Sequence, residues 1–496
     1  MLGYWDGSII HLIDGTELQG DMQGMTKYAM SLKENVMLYE TNDDIAIEWL
    51  AYLMGNGIGF DLTGRRKMCV SCLRGTNRVL YHVSFKNARG LKLRVFRLEN
   101  LLRSTLSDLE TEGYGETKTE AIMNILRECG NMDIGGMTIG SEAMRHFRRN
   151  MGMVHYSEVF PDIEITEELK MRTGYIGGYV QAKNGNYGET FDYDCNSMYP
   201  SILRDEFLPY GDYEKYDGKY SYDEDMPLHI DTLTFRADLK KNGYPWLTIP
   251  RTSTNPDSDR IVSTRGYVTM SLCDVDQQLL YDNYDVSVYR HVGGWKFRKS
   301  KGFFADYVDI WGAVKQRSTG AKRQMSKLML NSLVGKFGTF ARGKCLIPNV
   351  SRETIYDNAI QCGNVEWSIG DSPNNQSSHY LPVSIYVNAI ARRRLLTAMR
   401  LNSERVVYAN TDGFVLTGAE PPKGIEQSPT ELGKWKTERH WKRLRILGVG
   451  LYQGERADGT GYDLVSSGMS RNTPIPWEKF HHGSEIIDDF GNRVVI

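Results

Sequence analysis

Three short segments carry residues suited to phosphoryl transfer. That chemistry needs little covalent help from a protein; it needs divalent ions held by one or two carboxylates each, and cations on the phosphates. The first acid is Asp194, ending a strand in Phe191-Asp-Tyr-Asp194-Cys-Asn-Ser197-Met-Tyr199-Pro200. Asp192 lies on the same strand face, either as a second acid or as a support for the strand edge. The second acid, Asp412, sits in Tyr408-Ala-Asn410-Thr-Asp412-Gly413, at the tip of a hairpin between two apolar strands. The third segment is a helix in which Arg323, Lys327 and Asn331 recur at i, i+4 and i+8 and so form one stripe. Two cations there can grip a triphosphate, and Asn331 can meet a sugar or base. Gly335 admits close approach to the backbone, and Lys315, one element upstream, reaches the same phosphates. Each segment alone also reads as something ordinary: a strand-to-turn exit, a polar hairpin tip, a solvated basic helix.

The elements that must position these residues follow from pattern. Thr190–Asp194 reads as a strand, residues 304–335 as helical with a break at Ser318-Thr319-Gly320, and Ile385–Met399 as a helix with a basic side. Arg405–Leu416 reads as a β-hairpin and Leu447–Gln453 as a strand. Tyr175-Ile-Gly-Gly178 is a turn signal. In the first ~140 residues short strands and helices mix, with helical spacing over Ile45–Met54 and a basic strand over Lys92–Leu98. Residues 204–300 hold many short strand candidates.

The 496 residues allow two or more cores, and the net charge of −2 hides local basic runs. Residues 61–100 carry ten Lys/Arg against Asp61 and Glu99, and residues 315–344 carry eight with no acid. Such runs match phosphate-rich partners, or serve as solvated faces. Seven cysteines, spread widely and odd in number, do not form a disulfide framework. No apolar run approaches a membrane span and no signal-peptide pattern opens the chain, so an intracellular, soluble protein is expected.

Taken in order, the three segments resemble motifs A, B and C of the family B DNA polymerases, and most closely the protein-primed subfamily of phages and linear plasmids. The matches are Asp194-x2-Ser197-x-Tyr199-Pro200, Lys327-x3-Asn331-Ser332-x2-Gly335, and Tyr408-x-Asn410-Thr-Asp412 in altered form. Tyr175, Gly177 and Gly178 fit the linker between exonuclease and polymerase domains, Thr138–Met144 the segment ahead of it, Asn388-x3-Arg392 a further palm motif, and Ser467-Gly468-Met469 a motif near the thumb.

The resemblance implies an α/β (α+β) right-hand fold with palm, fingers and a small thumb behind a reduced RNase H-like, exonuclease-type domain. The implied divisions are 1–140 degenerate exonuclease-like domain, 141–203 linker and first part of the palm, and 204–303 a first inserted region contacting a priming protein. There follow 304–336 fingers, 337–382 a second inserted region for strand displacement, 383–466 second part of the palm, and 467–496 thumb. Asp194 and Asp412 would bind two Mg²⁺ ions, with Mn²⁺ as an alternative, and the Cys195 carbonyl would be a further ligand. Lys315, Lys327 and Arg323 would bind the triphosphate of a dNTP. Tyr199 would lie beneath the deoxyribose and exclude a 2′-hydroxyl, and Asn331 would contact the nascent pair. Tyr175, Gly177, Gly178, Arg392 and Tyr452 would hold template and primer DNA. The partners implied are DNA, dNTPs and a terminal protein, in a host cytoplasm and without a membrane.

The pattern also departs from the family. Asn410 replaces an acid, Gly413 a serine, and Val334 an aromatic residue. Gly450-Leu-Tyr452 lacks the lysine of a K-x-Y motif, for which Lys434 or Lys436 could compensate. Asn56-x3-Phe60-Asp61 fits the second exonuclease motif, making Asp61 its remnant. No D-x-E opens the chain, Asp108-Leu-Glu110 falls out of order, and Tyr114 is followed by Lys118 where an acid belongs. An enzyme without proofreading is expected. Three readings stay open: an active polymerase, a polymerase-derived DNA-binding protein that no longer polymerises, and an unrelated nuclease or metal-binding module.

Overall fold

The computed structural model describes residues 1–75, 80–102, 114–152, 154–249, 260–340, 344–348, 360–362, 365–371, 379–466, 475–487 and 493–496. The Ser467-Gly468-Met469 and Asp108-Leu-Glu110 segments lie outside these. The chain divides into two compact units, one of residues 1–157 with 306–380 and the other of 158–305 with 381–496.

The first unit is built on an 11-stranded mixed sheet. At its centre Leu2–Trp5, Val36–Glu40 and Lys92–Arg97 run parallel. Beside them Ile9–Leu12 and Glu17–Gln19 form an antiparallel edge. The amphipathic helices Met22–Ser31 and Asp43–Gly55 pack Met25, Ala29, Trp49, Leu50 and Leu53 onto it. Trp49 is fully buried, so the helical spacing expected over Ile45–Met54 carries the core contact.

At the other side the sheet gains strands from far along the chain. Cys345 and Leu346 pair with Gly75 and Arg74, and Lys344–Pro348 pairs in turn with Val365–Asp371. Leu346 and Trp367 are fully buried in the same core, and the Arg74 guanidinium lies 5.2 Å from the Trp367 ring centre. The described strands of the expected second inserted region therefore belong to the N-terminal sheet. The unit also holds Lys118–Asn131 and Ile139–Asn150, each started by a threonine whose hydroxyl accepts a backbone N–H. Almost all of Ala305–Arg317, and Gly320–Phe337 after the expected break, belong to it as well.

The second unit carries an eight-stranded sheet. Along its main path lie Tyr462–Ser466, Leu451–Arg456, Trp435–Gly448, Thr190–Cys195, Gly413–Thr417, Val406–Asn410 and Val180–Ala182. The single strand expected over Leu447–Gln453 is instead the join of two strands, which turn at Gly450 with φ +67°. A left-handed residue ends a strand more effectively than apolar composition prolongs it. The segment expected to hold many short strands folds as a four-stranded sheet, with Leu228–Leu239 and Tyr284–Ser300 spanning 12 and 17 residues. Bulges shift their register after Thr232 and Thr234, breaking the alternation that would mark a long strand. Leu381–Leu401 is a 21-residue helix buried along much of its length.

Candidate active site

Strand register brings the two acids of the second unit together. Thr190–Cys195 lies between Gly413–Thr417 and Trp435–Gly448, antiparallel to both, with Asp194 opposite Gly413 on one side and Lys436 on the other. The Cys195 N–H donates to the Asp412 carbonyl at 2.9 Å, which pins the strand end to the hairpin tip. Asn410 pairs with Gly413, leaving Thr411 and Asp412 as a two-residue loop. The positive φ that this loop needs falls on Thr411, at +61°, rather than on Gly413. A β-branched residue there costs roughly 1–3 kcal/mol, and the surroundings hold it in place. The Thr411 N–H donates to the Tyr179 carbonyl at 2.7 Å, and the Asp412 N–H to the Asn410 carbonyl at 2.6 Å.

Burial is the largest influence on the side chains around these acids, with nearby arginines opposing it and carboxylates adding to it. Burial raises the Asp192 carboxyl to about 7; Arg439 opposes the shift, and Glu438, Asp194 and Asp412 add to it. The Cys195 thiol is pushed up to about 12 by burial, with Asp194 and Asp412 adding. Tyr199 is raised to about 12 by burial, against Arg392 and with Asp412 and Tyr175 adding. The charge of Asp412 thus reaches three neighbouring side chains. Lys436 Nζ stands 3.4 Å from Asp194 Oδ2.

Carboxylate and carbonyl oxygens at adjoining strand ends are hard donors, and they fit Mg²⁺ or Mn²⁺. Among the described residues no three His, Cys, Asp or Glu side chains gather closely enough to enclose a metal by themselves. The set suits an ion that completes its shell with water and substrate oxygens.

The turn at Tyr175–Gly178 joins this site through contact. A Cβ on Gly178 would stand 2.8 Å from Thr411 Cγ2 and 3.1 Å from both Thr411 Oγ1 and the Tyr199 hydroxyl, so only glycine fits. Tyr175 is half-buried and Gly177 exposed. Arg392, expected to hold DNA, is corrected by its surroundings. Its side chain is fully buried, forming two hydrogen bonds of 2.6 and 2.7 Å with Asp276. It also donates to the carbonyls of Ile176 and Gly177. It clamps the turn from beneath.

Tyr452 is corrected in the same way. It is 8% exposed in a small core, edge-on to Tyr408, and its hydroxyl accepts from Arg439 at 3.0 Å. The Gly450 N–H, where the family lysine is missing, donates to the Tyr408 hydroxyl. Sequence reasoning missed Arg439, which is 37% exposed and stands opposite Asp192 in the ladder. Only strand register reveals it.

In the first unit, Arg323, Lys327, Asn331 and Gly335 are all exposed, while Met325, Met329, Leu330 and Leu333 are buried, so the stripe is an open helix face. Arg323 Nη1 donates to the carbonyl of half-buried Lys315 at 2.6 Å. A Cβ at Gly335 would meet nothing within 4 Å.

Asp61, expected as the remnant of the second exonuclease motif, is bonded to its own loop. Its carboxylate accepts from Thr63 N and Oγ1, Arg65 N and Arg66 N at 2.7–3.1 Å. Desolvation is the largest single influence and opposes them, but together these four donors hold its carboxyl below the usual range. It closes a loop.

Residues 118–365 match the family model described as DNA polymerase type B, organellar and viral. The DNA polymerase of Bacillus phage phi29 is 31% identical over 318 residues, covering 63% of this chain and 54% of that protein. The DNA polymerase of Bacillus phage Nf is 32% identical over 344 residues, covering 67% of this chain and 58% of that protein. The chain thus spans little more than half the length of these relatives. The solved structure of phi29 DNA polymerase with primer-template DNA and incoming nucleotide superposes with a TM-score of 0.81, at 23% identity over 98% of this chain and 95% of that one. That likeness concerns the fold.

Proposed function

Because the chain belongs to the organellar and viral type B DNA polymerases, we propose that it is a template-directed DNA polymerase of a phage or mobile element, initiating on the hydroxyl of a terminal protein. A primer or terminal-protein hydroxyl attacks the α-phosphorus of a dNTP, one P–O bond forms, and pyrophosphate leaves. Two divalent ions, when bound, lower the hydroxyl's affinity for its proton and neutralise charge on the phosphates. Asp194, Asp412 and the Cys195 carbonyl would hold them. Lys315, Arg323 and Lys327 bind the triphosphate, and Asn331 contacts the nascent pair. Tyr199, crowded against Gly178 and Thr411, stacks under the deoxyribose. Tyr175, Gly177 and Gly178 track the nucleic-acid backbone, with Arg392 holding their turn.

The observation that carries this reading is the register of Asp194 against Gly413, with the Cys195 N–H bonded to the Asp412 carbonyl. The use of Asp61 to close a loop supports synthesis without proofreading. A second reading, a DNA-binding protein of impaired catalysis, is favoured by Asn410 and by Gly450. Primer extension with Mg²⁺ and with Mn²⁺ separates the two. Labelled dNMP joined covalently to a candidate terminal protein tests initiation, and incorporation that survives Asp194→Ala or Asp412→Ala overturns the site.

A further inference from the structure

Asn410 removes one negative charge from the hairpin, and the ladder beside it carries a carboxylate that the family motifs do not include. Asp192 sits two residues before Asp194 on the same strand face, opposite Val415 and Arg439. Its Oδ1 lies 3.8 Å from where a side chain at Gly413 would begin, alongside the pair formed by Asn410 and Gly413. That is ordinary van der Waals distance, so the carboxylate borders the Asn410–Gly413 pair directly. The side chain is 15% exposed, and its contact with Arg439 is long, 3.8 Å between Oδ2 and Nη1. Arg439 is itself bonded to the Tyr452 hydroxyl at 3.0 Å. Asp192 is therefore held at the back of the site without being fully neutralised.

We propose that Asp192 replaces the charge lost at Asn410, acting as a positioning carboxylate that accepts hydrogen bonds from the water shell of the metal held by Asp194 and Asp412. This rests on the metal-site reading given above. The role passes through water, in keeping with the absence, among the described residues, of three acid side chains close enough to bind one ion directly. The charge has moved from the hairpin strand to the strand beside it.

The test is Mn²⁺ binding by the full chain, followed by electron paramagnetic resonance titration, with melting temperature measured alongside. Asp192→Asn is expected to weaken Mn²⁺ by roughly tenfold or more, the range for groups that orient a metal's shell. Adding Asn410→Asp to that variant restores the affinity. Unchanged Mn²⁺ affinity in Asp192→Asn, with or without a lowered melting temperature, overturns the inference and leaves Asp192 as a mere partner of Arg439. If Asp192→Asn does not fold, Asn410→Asp alone decides: tighter Mn²⁺ supports the relocation, and no change overturns it. Asp194→Asn and Asp412→Asn separate the two levels. If they too leave Mn²⁺ binding intact, the metal site itself fails; if they abolish it while Asp192→Asn does nothing, only the relocation fails.

Discussion

In the N-terminal sheet, acids at strand ends turn back on their own loops. Asp6 accepts from the N–H groups of Ser8 and Ile9, Glu40 from Asn42, and Asp61 from Thr63, Arg65 and Arg66. In the second sheet, Asp192 and Asp194 stand in one row with Asp412 at the adjoining tip, and the charges of Asp194 and Asp412 add to the burial that raises the Asp192 carboxyl. Both sheets carry acids at strand ends; only one leaves them facing each other. Acids gathered in that way suit a divalent cation, the role proposed for them above. Carboxylates that satisfy nearby N–H groups serve stability, whatever motif surrounds them.

The contrast is broken most directly at the acids themselves. Asp194→Ala and Asp412→Ala are each expected to lower primer extension by roughly a thousandfold or more, since metal ions contribute several kcal/mol of transition-state stabilisation. Extension by Asp61→Ala is expected to match the parent. Equal losses at all three positions would erase the distinction between the sheets.

Buried charge gives the next largest effect. Arg392→Met leaves the fully buried Asp276 without its partner, which costs on the order of 3–5 kcal/mol. Denaturant unfolding of the full chain measures this, and a loss confined to DNA affinity would return Arg392 to a direct contact.

His82 sharpens the comparison from the first unit. Burial, helped by Arg94 and Lys92, lowers its imidazole from 6.5 to about 4. Between those values the unfolded chain binds a proton that the folded chain does not, so stability falls as pH drops through this window. The loss amounts to roughly 3 kcal/mol by pH 4. His82→Gln should remove that part of the pH dependence while leaving metal affinity at neutral pH unchanged. Smallest of all, Asp61→Ala should cost about 1 kcal/mol through lost loop hydrogen bonds, read as a small drop in melting temperature.

Legibility followed distance along the chain. The hairpin was readable because Val406-Val407 and Phe414-Val415-Leu416 flank a polar tip, and the Lys327 helix because three polar residues recur at one spacing. The nearness of Asp194 and Asp412 came from motif likeness; register supplied the physical reason. Arg392 and Tyr452 misled because a cation and a phenol suit DNA as well as they suit a core. Only Asp276, 116 residues away, and Arg439 decide between those environments. The loop that Asp61 closes was not legible, because loop closure and metal ligation both call for an acid beside polar residues. The pairing of Cys345 with Gly75 had no local signal at all.

That last pairing has a consequence for biosynthesis. On the ribosome, the strand ending at Gly75 emerges about 270 residues before Cys345 and Leu346, which pair with it. At roughly 5–20 residues per second, this leaves an open strand edge for some 14–54 s. Nascent chains would therefore carry unsatisfied backbone donors and acceptors at Arg74 and Gly75 over that interval. Truncated products ending before Cys345 are expected to aggregate, or to engage chaperones, through that edge.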